Sequence, residues 1–291
     1  MFQQTINGLA LGSTYALLGL GVTLIWGVLG VLNFAYGQFI VWGTFGVLVA
    51  LENHVPTLLA IVIGMAVAGL VAVVVDGTVM QFMRRRNTSE FALVVATIGV
   101  SYLLSTVAQW RSHSQTEAFP IGPFPHGYIH IGQTSVPILP LVTLGISIVV
   151  MLILGFWLNR TRLGRATRTV SYSVQIAELM GVNSRAIFAL AVFVSGCLAA
   201  IAGVFNSVTT ATLSYSSGDQ LLVVAFAVIV LGGMGSVVGA VVGGLVLGLA
   251  QVYTTIYVSD VFSQAITYLL IVAVLIVRPR GLFGVAEEAR V

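Results

Sequence analysis

All twelve residues counted as Lys plus Arg are Arg, and the chain contains no Lys. That absence removes two chemistries. The pattern G-x-x-x-x-G-K-[ST] needs its Lys to reach the terminal phosphates of a nucleotide, so the chain carries no P-loop ATPase of its own. Schiff-base catalysis on a side-chain amine is excluded with it. The nine carboxylates offer no pair spaced for general acid and base work, and neither H-E-x-x-H nor a G-x-S-x-G elbow occurs. His113, His126 and His130 have the side chains for a zinc site. They fall in a Pro-rich stretch with no helical face to align them and no Cys nearby, which fits a solvated loop. The one Cys, Cys197, sits in an apolar run and reads as a small core side chain, without a disulfide or thiolate-metal partner. With no nucleophile–base set and no metal cluster, the sequence argues against an enzyme.

What remains is a small set of polar groups embedded in apolar sequence. Asn33-Phe34-Ala35-Tyr36-Gly37-Gln38 is one such segment. Hydrocarbon does not solvate the amides of Asn33 and Gln38, so both must face protein or water. They either line a path for a solute or hold a helix break by hydrogen bonding. Asp76 is another, eight residues before Arg84. Eight helical residues span about 12 Å, and a charge at the bilayer centre costs about 3 kcal/mol. Asp76 is therefore a proton or substrate site, or else the ion-pair partner of an Arg in the 84–86 cluster or a helix-end hydrogen-bonding group.

The elements that position these groups follow from composition. Of 291 residues, 58% are apolar and 7% charged, and mean hydropathy is +1.06. A soluble domain is about a quarter charged, so lipid must solvate much of the outer face. A spanning helix needs about 20 apolar residues. The run 8–51 has room for two crossings. Further runs cover 58–83, 91–110, 136–158, 187–208, 221–231, 237–258 and 262–277. The expected fold is all-α: one polytopic transmembrane helical bundle over residues 1–291 with 8–9 membrane helices, some broken or re-entrant. Residues 1–4 lack the positive n-region of a cleaved signal peptide, so the first apolar helix is expected to direct insertion.

Arg placement orients the bundle. Arg84–Arg86, then Arg160, Arg162, Arg165, Arg168 and Arg185, then Arg278, Arg280 and Arg290 fall on one side if the helices alternate. The positive-inside rule makes that side cytoplasmic, and it also accounts for the pI near 9.2 without nucleic acid. The first 83 residues hold no basic residue, so an odd helix count is needed to put the N-terminus outside. The loop at about 111–135, with Pro120, Pro123 and Pro125, and the stretch 214–219 are expected on the extracytoplasmic face.

Glycine marks two interruptions, Gly27-Val28-Leu29-Gly30 and Gly232-Gly233-Met234-Gly235. Paired breaks in two halves point to a substrate path, where protein or water satisfies unwound backbone. Close helix packing through small residues is the alternative. The first reading makes Asn33, Tyr36, Gly37, Gln38, Gly232, Gly233 and Gly235 the candidate path residues. Gly235, Gly239 and Gly243, and likewise Ser195, Ala199 and Gly203, repeat at a spacing of four. Each set suits a subunit interface or packing within the chain. The Arg-rich segment at about 160–185 continues into Ser173-Val-Gln-Ile-Ala-Glu-Leu-Met-Gly-Val182. Tyr172, Ile176, Leu179 and Met180 form an apolar stripe at helical spacing, fit for a partner's groove or for the lipid interface.

These residues resemble a known family. Val31-Leu-Asn-Phe-Ala-Tyr-Gly-Gln38 is similar to the V-x-N-x-A-x-G-x signature near the start of branched-chain amino acid ABC transporter permeases of the LivH type. Arg162-x-Gly164-x-Ala166-x-Arg168 with Ala177-x-x-x-Gly181 resembles their coupling segment. Leu231-Gly-Gly-Met-Gly-Ser236, followed by Gly239 and Gly243, resembles their late Gly-rich motif. The likeness covers nearly the whole chain, in order. It departs at Tyr36 and Gln38, where the family often has His and an acid.

The resemblance implies a non-catalytic permease subunit of an ATP-driven ABC importer in the bacterial inner membrane. It would move branched-chain or other small amino acids by alternating access; relatives also move urea and short amides. Arg165, Arg168, Ala177, Glu178, Leu179, Met180 and Gly181 would couple to ATPases. The implied partners are a second homologous permease subunit, two cytoplasmic ATP-binding subunits and an extracytoplasmic solute-binding protein. This chain would bind no cofactor, with ATP and Mg held by the partner ATPases. A self-contained secondary transporter or channel is the competing class. It calls for several intramembrane ionisable groups, and Asp76 alone qualifies.

Overall fold

The computed structural model describes residues 2–86, 88–125, 127–131, 134–278 and 281–284. Backbone polar groups in hydrocarbon must be paired within their own segment, so the long apolar runs form helices. They are α1 (Phe2–Leu29), α2 (Tyr36–Glu52), α3 (Thr57–Val75), α5 (Glu90–Arg111), α6 (Ile138–Arg160), α9 (Ser184–Thr210), α10 (Ser217–Gly232), α11 (Val237–Tyr257) and α12 (Asp260–Val277). A single π-helical turn, Asp76–Met80, joins α3 to α4 (Gln81–Arg85). Between α6 and α9 lie α7 (Arg162–Tyr172) and α8 (Val174–Leu179). The fold is all-α and polytopic. Among the described residues six helices are long and apolar enough to cross a membrane, and three shorter apolar helices accompany them.

Two small antiparallel ribbons complete the described structure. β1 (Glu117–Ala118) pairs with β4 (Thr212–Leu213), tying the Pro-rich loop to the end of α9. β2 (Tyr128–Ile131) pairs with β3 (Thr134–Pro137) ahead of α6.

Helix α1 is buried along most of its length, and it packs antiparallel to α11. Gly8 lies against Leu249, Gly12 against Gly248 and Ala16 against Gly244. Helices α3 and α9 make a second antiparallel pair, with Gly69 against Phe193 and the Cys197 thiol donating to Met65 O at 3.5 Å. Small residues allow these close approaches. The Gly239 and Gly243 stripe packs on Gly232 and Val228 of α10, and Gly203 packs on Ile40 and Thr44 of α2. Both four-residue patterns thus serve packing within the chain at these positions. Outward-facing Tyr102, Trp110, Leu152, Phe156, Leu269 and Ile276 leave α5, α6 and α12 with apolar outer faces.

The internal symmetry takes a different form from the one expected between Gly27–Gly30 and Gly232–Gly235. Helices α1, α2 and α3 correspond to α9, α10 and α11 at the 181-residue separation of Gln38 and Asp219. Backbone conformation follows the same offset. Gly30 (φ 70°) corresponds to Ala211 (φ 58°), and His54 (φ 56°) to Gly235 (φ 81°). The break after α1 therefore corresponds to 211–216, and the Gly233–Ser236 turn to the α2–α3 turn. The two units are inverted. Helix α1 ends beside α7, where the Ser171 hydroxyl donates to Gly27 O, whereas α9 begins just beyond α8.

Candidate functional site

The two broken helices meet at their N-termini. Gly37, the second residue of α2, lies against the backbone of Gly218, the second residue of α10. A Cβ on Gly37 would lie 2.6 Å from Gly218 O, and one on Gly218 would lie 2.3 Å from Gly37 O. Only glycine at both positions permits this crossing. The next residues, Gln38 and Asp219, face one another, with Gln38 Nε2 donating to Asp219 Oδ1 at 3.5 Å. Gln38 is fully buried, and its Oε1 has no hydrogen-bond partner among the described residues. Asp219 is exposed on the surface of the chain.

Contacts to α5 fix the height of this junction. The Phe34 N–H donates to Thr97 Oγ1 at 3.1 Å, and Trp42 Nε1 donates to Leu104 O at 3.3 Å. Gln38 falls between these two levels, close to the midpoint of the Glu90–Arg111 helix. The stretch 214–219, read from sequence as an outer loop, therefore descends to mid-height after the β1–β4 ribbon. Polar residues 214–220 read as loop by composition, and no local pattern signals the descent. Asp219 is the residue that sequence reasoning missed. An acid preceding a short apolar run is its one sequence signal.

The other residues of the first break hold its shape. Asn33 is buried; its Oδ1 accepts from Ala35 N at 2.9 Å and its Nδ2 donates to Met80 Sδ at 3.7 Å. The carbonyl caps the turn into α2, while the amide nitrogen ties the break to the π-helical turn. Tyr36 is also buried, and its hydroxyl donates to Leu18 O at 3.1 Å over the gap left by Gly21. Gly232, Gly233 and Gly235 lie at the α10–α11 turn, away from this junction. There Leu282 and Phe283 N–H groups donate to Leu231 O and Gly232 O, so the turn is bonded to the segment after α12. A cavity of about 340 Å³ brings Gly235 and Arg168 together, lined also by Thr23, Leu24, Leu158 and Asn159.

The segment at 160–185 is a helical elbow. Thr161 Oγ1 accepts from Gly164 N at 3.0 Å and caps α7, and Ser173 and Asn183 cap α8 and α9 in the same way. Ala177 is buried, and Glu178 Oε1 accepts from the Ser184 hydroxyl at 2.5 Å, which closes the elbow onto α9. Gly181 makes the turn with φ 79°. Arg165, Arg168 and Glu178 are exposed, and the apolar tip projects outward, with Leu179 88% and Met180 72% exposed. Tyr172 and Ile176 are exposed on the same elbow.

Asp76 is an ion-pair partner. Arg84 Nη2 lies 2.8 Å from Asp76 Oδ1, and the guanidinium also sits over the Phe188 ring at 4.6 Å. Among the described residues no group of three metal-ligating side chains occurs. His126, the side chain of His130, Arg280 and Arg290 lie outside the described residues.

Comparisons with known proteins agree in extent with this architecture. A family model described as the permease component of the branched-chain amino acid transport system matches residues 4–277. The chain is 29% identical to the high-affinity branched-chain amino acid transport system permease protein BraD of Pseudomonas aeruginosa, over 99% of this chain and 97% of that one. It is 30% identical, with the same coverage, to the corresponding protein LivH of Escherichia coli K12. A probable branched-chain amino acid transport permease protein LivH of Methanocaldococcus jannaschii is 24% identical over 92% of this chain and 88% of its own length. Matched by that model from residue 4 to residue 277, the chain belongs to the branched-chain amino acid transport permease family.

Proposed function

We propose that the chain is the membrane-spanning permease subunit of an ATP-driven ABC importer, moving branched-chain or other small amino acids by alternating access. The observation that carries this reading is the end-to-end match to the branched-chain permeases of Pseudomonas aeruginosa and Escherichia coli. The chain itself is non-catalytic, and without Lys it has no nucleotide-phosphate loop. Nine crossings, counting α2 with its break and α10 with its break, put the N-terminus outside. They put Arg84–Arg86, the 160–185 elbow and Arg278 in the cytoplasm, as the positive-inside rule asks. The membrane is the bacterial inner membrane.

The exposed Leu179 and Met180 tip suits insertion into a groove on a cytoplasmic ATP-binding subunit, with Arg165 and Arg168 on its flank. Two such subunits would hold ATP and Mg. A second homologous permease subunit would complete the pathway, and a solute-binding protein would dock on the outer ribbons. Two inverted units crossing at Gly37 and Gly218 give alternating access a pivot near the middle of the membrane. The path would run past Asn33, Tyr36, Gly37 and Gln38 toward the turn at Gly232, Gly233 and Gly235.

Reconstitution tests the reading. Proteoliposomes holding this chain, the second permease and the two ATPases are expected to take up L-leucine only with ATP and the solute-binding protein. Uptake by this chain alone, driven by an ion gradient, would overturn it.

A further inference from the structure

We propose that Gln38 and Asp219 together recognise the ammonium group of the solute as it passes the centre of the membrane; this rests on the importer reading above. The two residues occupy equivalent positions in the inverted units and lie beside the crossing of two helix N-termini. Asp219 decides the orientation of the Gln38 amide. Its carboxylate takes the Nε2 donor, which leaves Gln38 Oε1 buried and, among the described residues, without a partner. An unpaired buried carbonyl is costly unless something donates to it.

The carboxylate has a complementary problem. It is exposed on this chain at mid-height, where contact with lipid costs several kcal/mol, so it must face water or another protein surface. Among the described residues the ion pairs are Arg84–Asp76 and Arg111–Glu117, and no Arg reaches Asp219. The junction thus holds one unpaired buried acceptor and one negative charge, with no cation paired to either among the described residues. A ligand with several N–H donors and a positive charge completes it, which describes an ammonium group. A free amino acid carries that group.

The test uses the assembled importer in proteoliposomes with saturating solute-binding protein and L-leucine. D219N keeps the shape and removes the charge, and leucine uptake is expected to fall about tenfold or more. Q38E/D219Q moves the carboxylate to the equivalent position of the other unit and is expected to restore uptake to within about threefold of wild type. Assembled D219N that transports at the wild-type rate overturns the proposal. A fall that Q38E/D219Q does not reverse also overturns it, because Asp219 is then a scaffold group. Should D219N fail to co-purify with its partners, Q38M removes the orphan acceptor instead, and wild-type uptake by Q38M is equally fatal. A wild-type complex that imports acetamide or urea but no amino acid sinks the substrate reading underneath, a failure distinct from that of the pair.

Discussion

The Gly37–Gly218 crossing supports a quantitative prediction. In Gly37→Ala the new Cβ stands 2.6 Å from Gly218 O and 3.0 Å from Gly218 C, against an ordinary contact of 3.4 Å or more. The helices must separate by about 0.8 Å, since both clashing atoms are backbone in the first turn of α10 and no rotamer change relieves them. Overpacking of this kind costs about 1–3 kcal/mol. Gly99→Ala in α5 is the control, because nothing lies within 4 Å of its added Cβ. That change is expected to stabilise by up to about 1 kcal/mol through helix propensity. The two alanine variants should therefore differ by about 1–4 kcal/mol. Cys197, half-buried between α9 and α3 and the one Cys in the chain, provides the readout. Its alkylation by a fluorogenic maleimide during heating in detergent reports unfolding, compared at one scan rate because such unfolding is commonly irreversible. Gly37→Ala should react at clearly lower temperature than wild type, and Gly99→Ala at the same or higher temperature. Equal transition temperatures for the two variants would refute the crossing as described.

Asp76→Asn leaves Arg84 without its buried partner, which costs about 3 kcal/mol or more; the same alkylation assay should show a large shift, and Asp76→Leu with Arg84→Met should recover most of it. Leu179→Asp places a charge on the exposed apolar tip of the 160–185 elbow, so ATPase co-purification should be lost while the chain still inserts; normal assembly would remove the coupling assignment. Asn33→Leu deletes the cap on Ala35 N and the tie to Met80, with an expected loss of about 1–2 kcal/mol. If stability in the alkylation assay is unchanged while leucine uptake falls, Asn33 lines the path instead of holding the break.

Composition made the bundle readable, because a spanning helix is specified by a bulk property. The elbow was readable in part: Tyr172, Ile176, Leu179 and Met180 recur at helical spacing in the sequence, whereas the caps at Thr161, Ser173 and Asn183 emerge only from the structure. The inverted repeat was hidden because equivalent backbone states are carried by different residues. Ala211 holds the positive φ that Gly30 holds, and Gly235 the one that His54 holds. Glycine spacing pointed instead to Gly232–Gly235, since a Gly run signals close packing and sharp turns equally, and only the neighbouring helices decide which. Asp219 was hidden by its company, as the five polar or small residues before it read as solvent-facing loop. Its position at mid-height follows from Gly218, which has no side chain and therefore no pattern to reveal it. The physical reason for both glycines is the same as the reason for the acid. A crossing of helix N-termini in hydrocarbon needs close backbone contact to exclude lipid, and the positive ends so brought together make the membrane centre tolerable for one carboxylate.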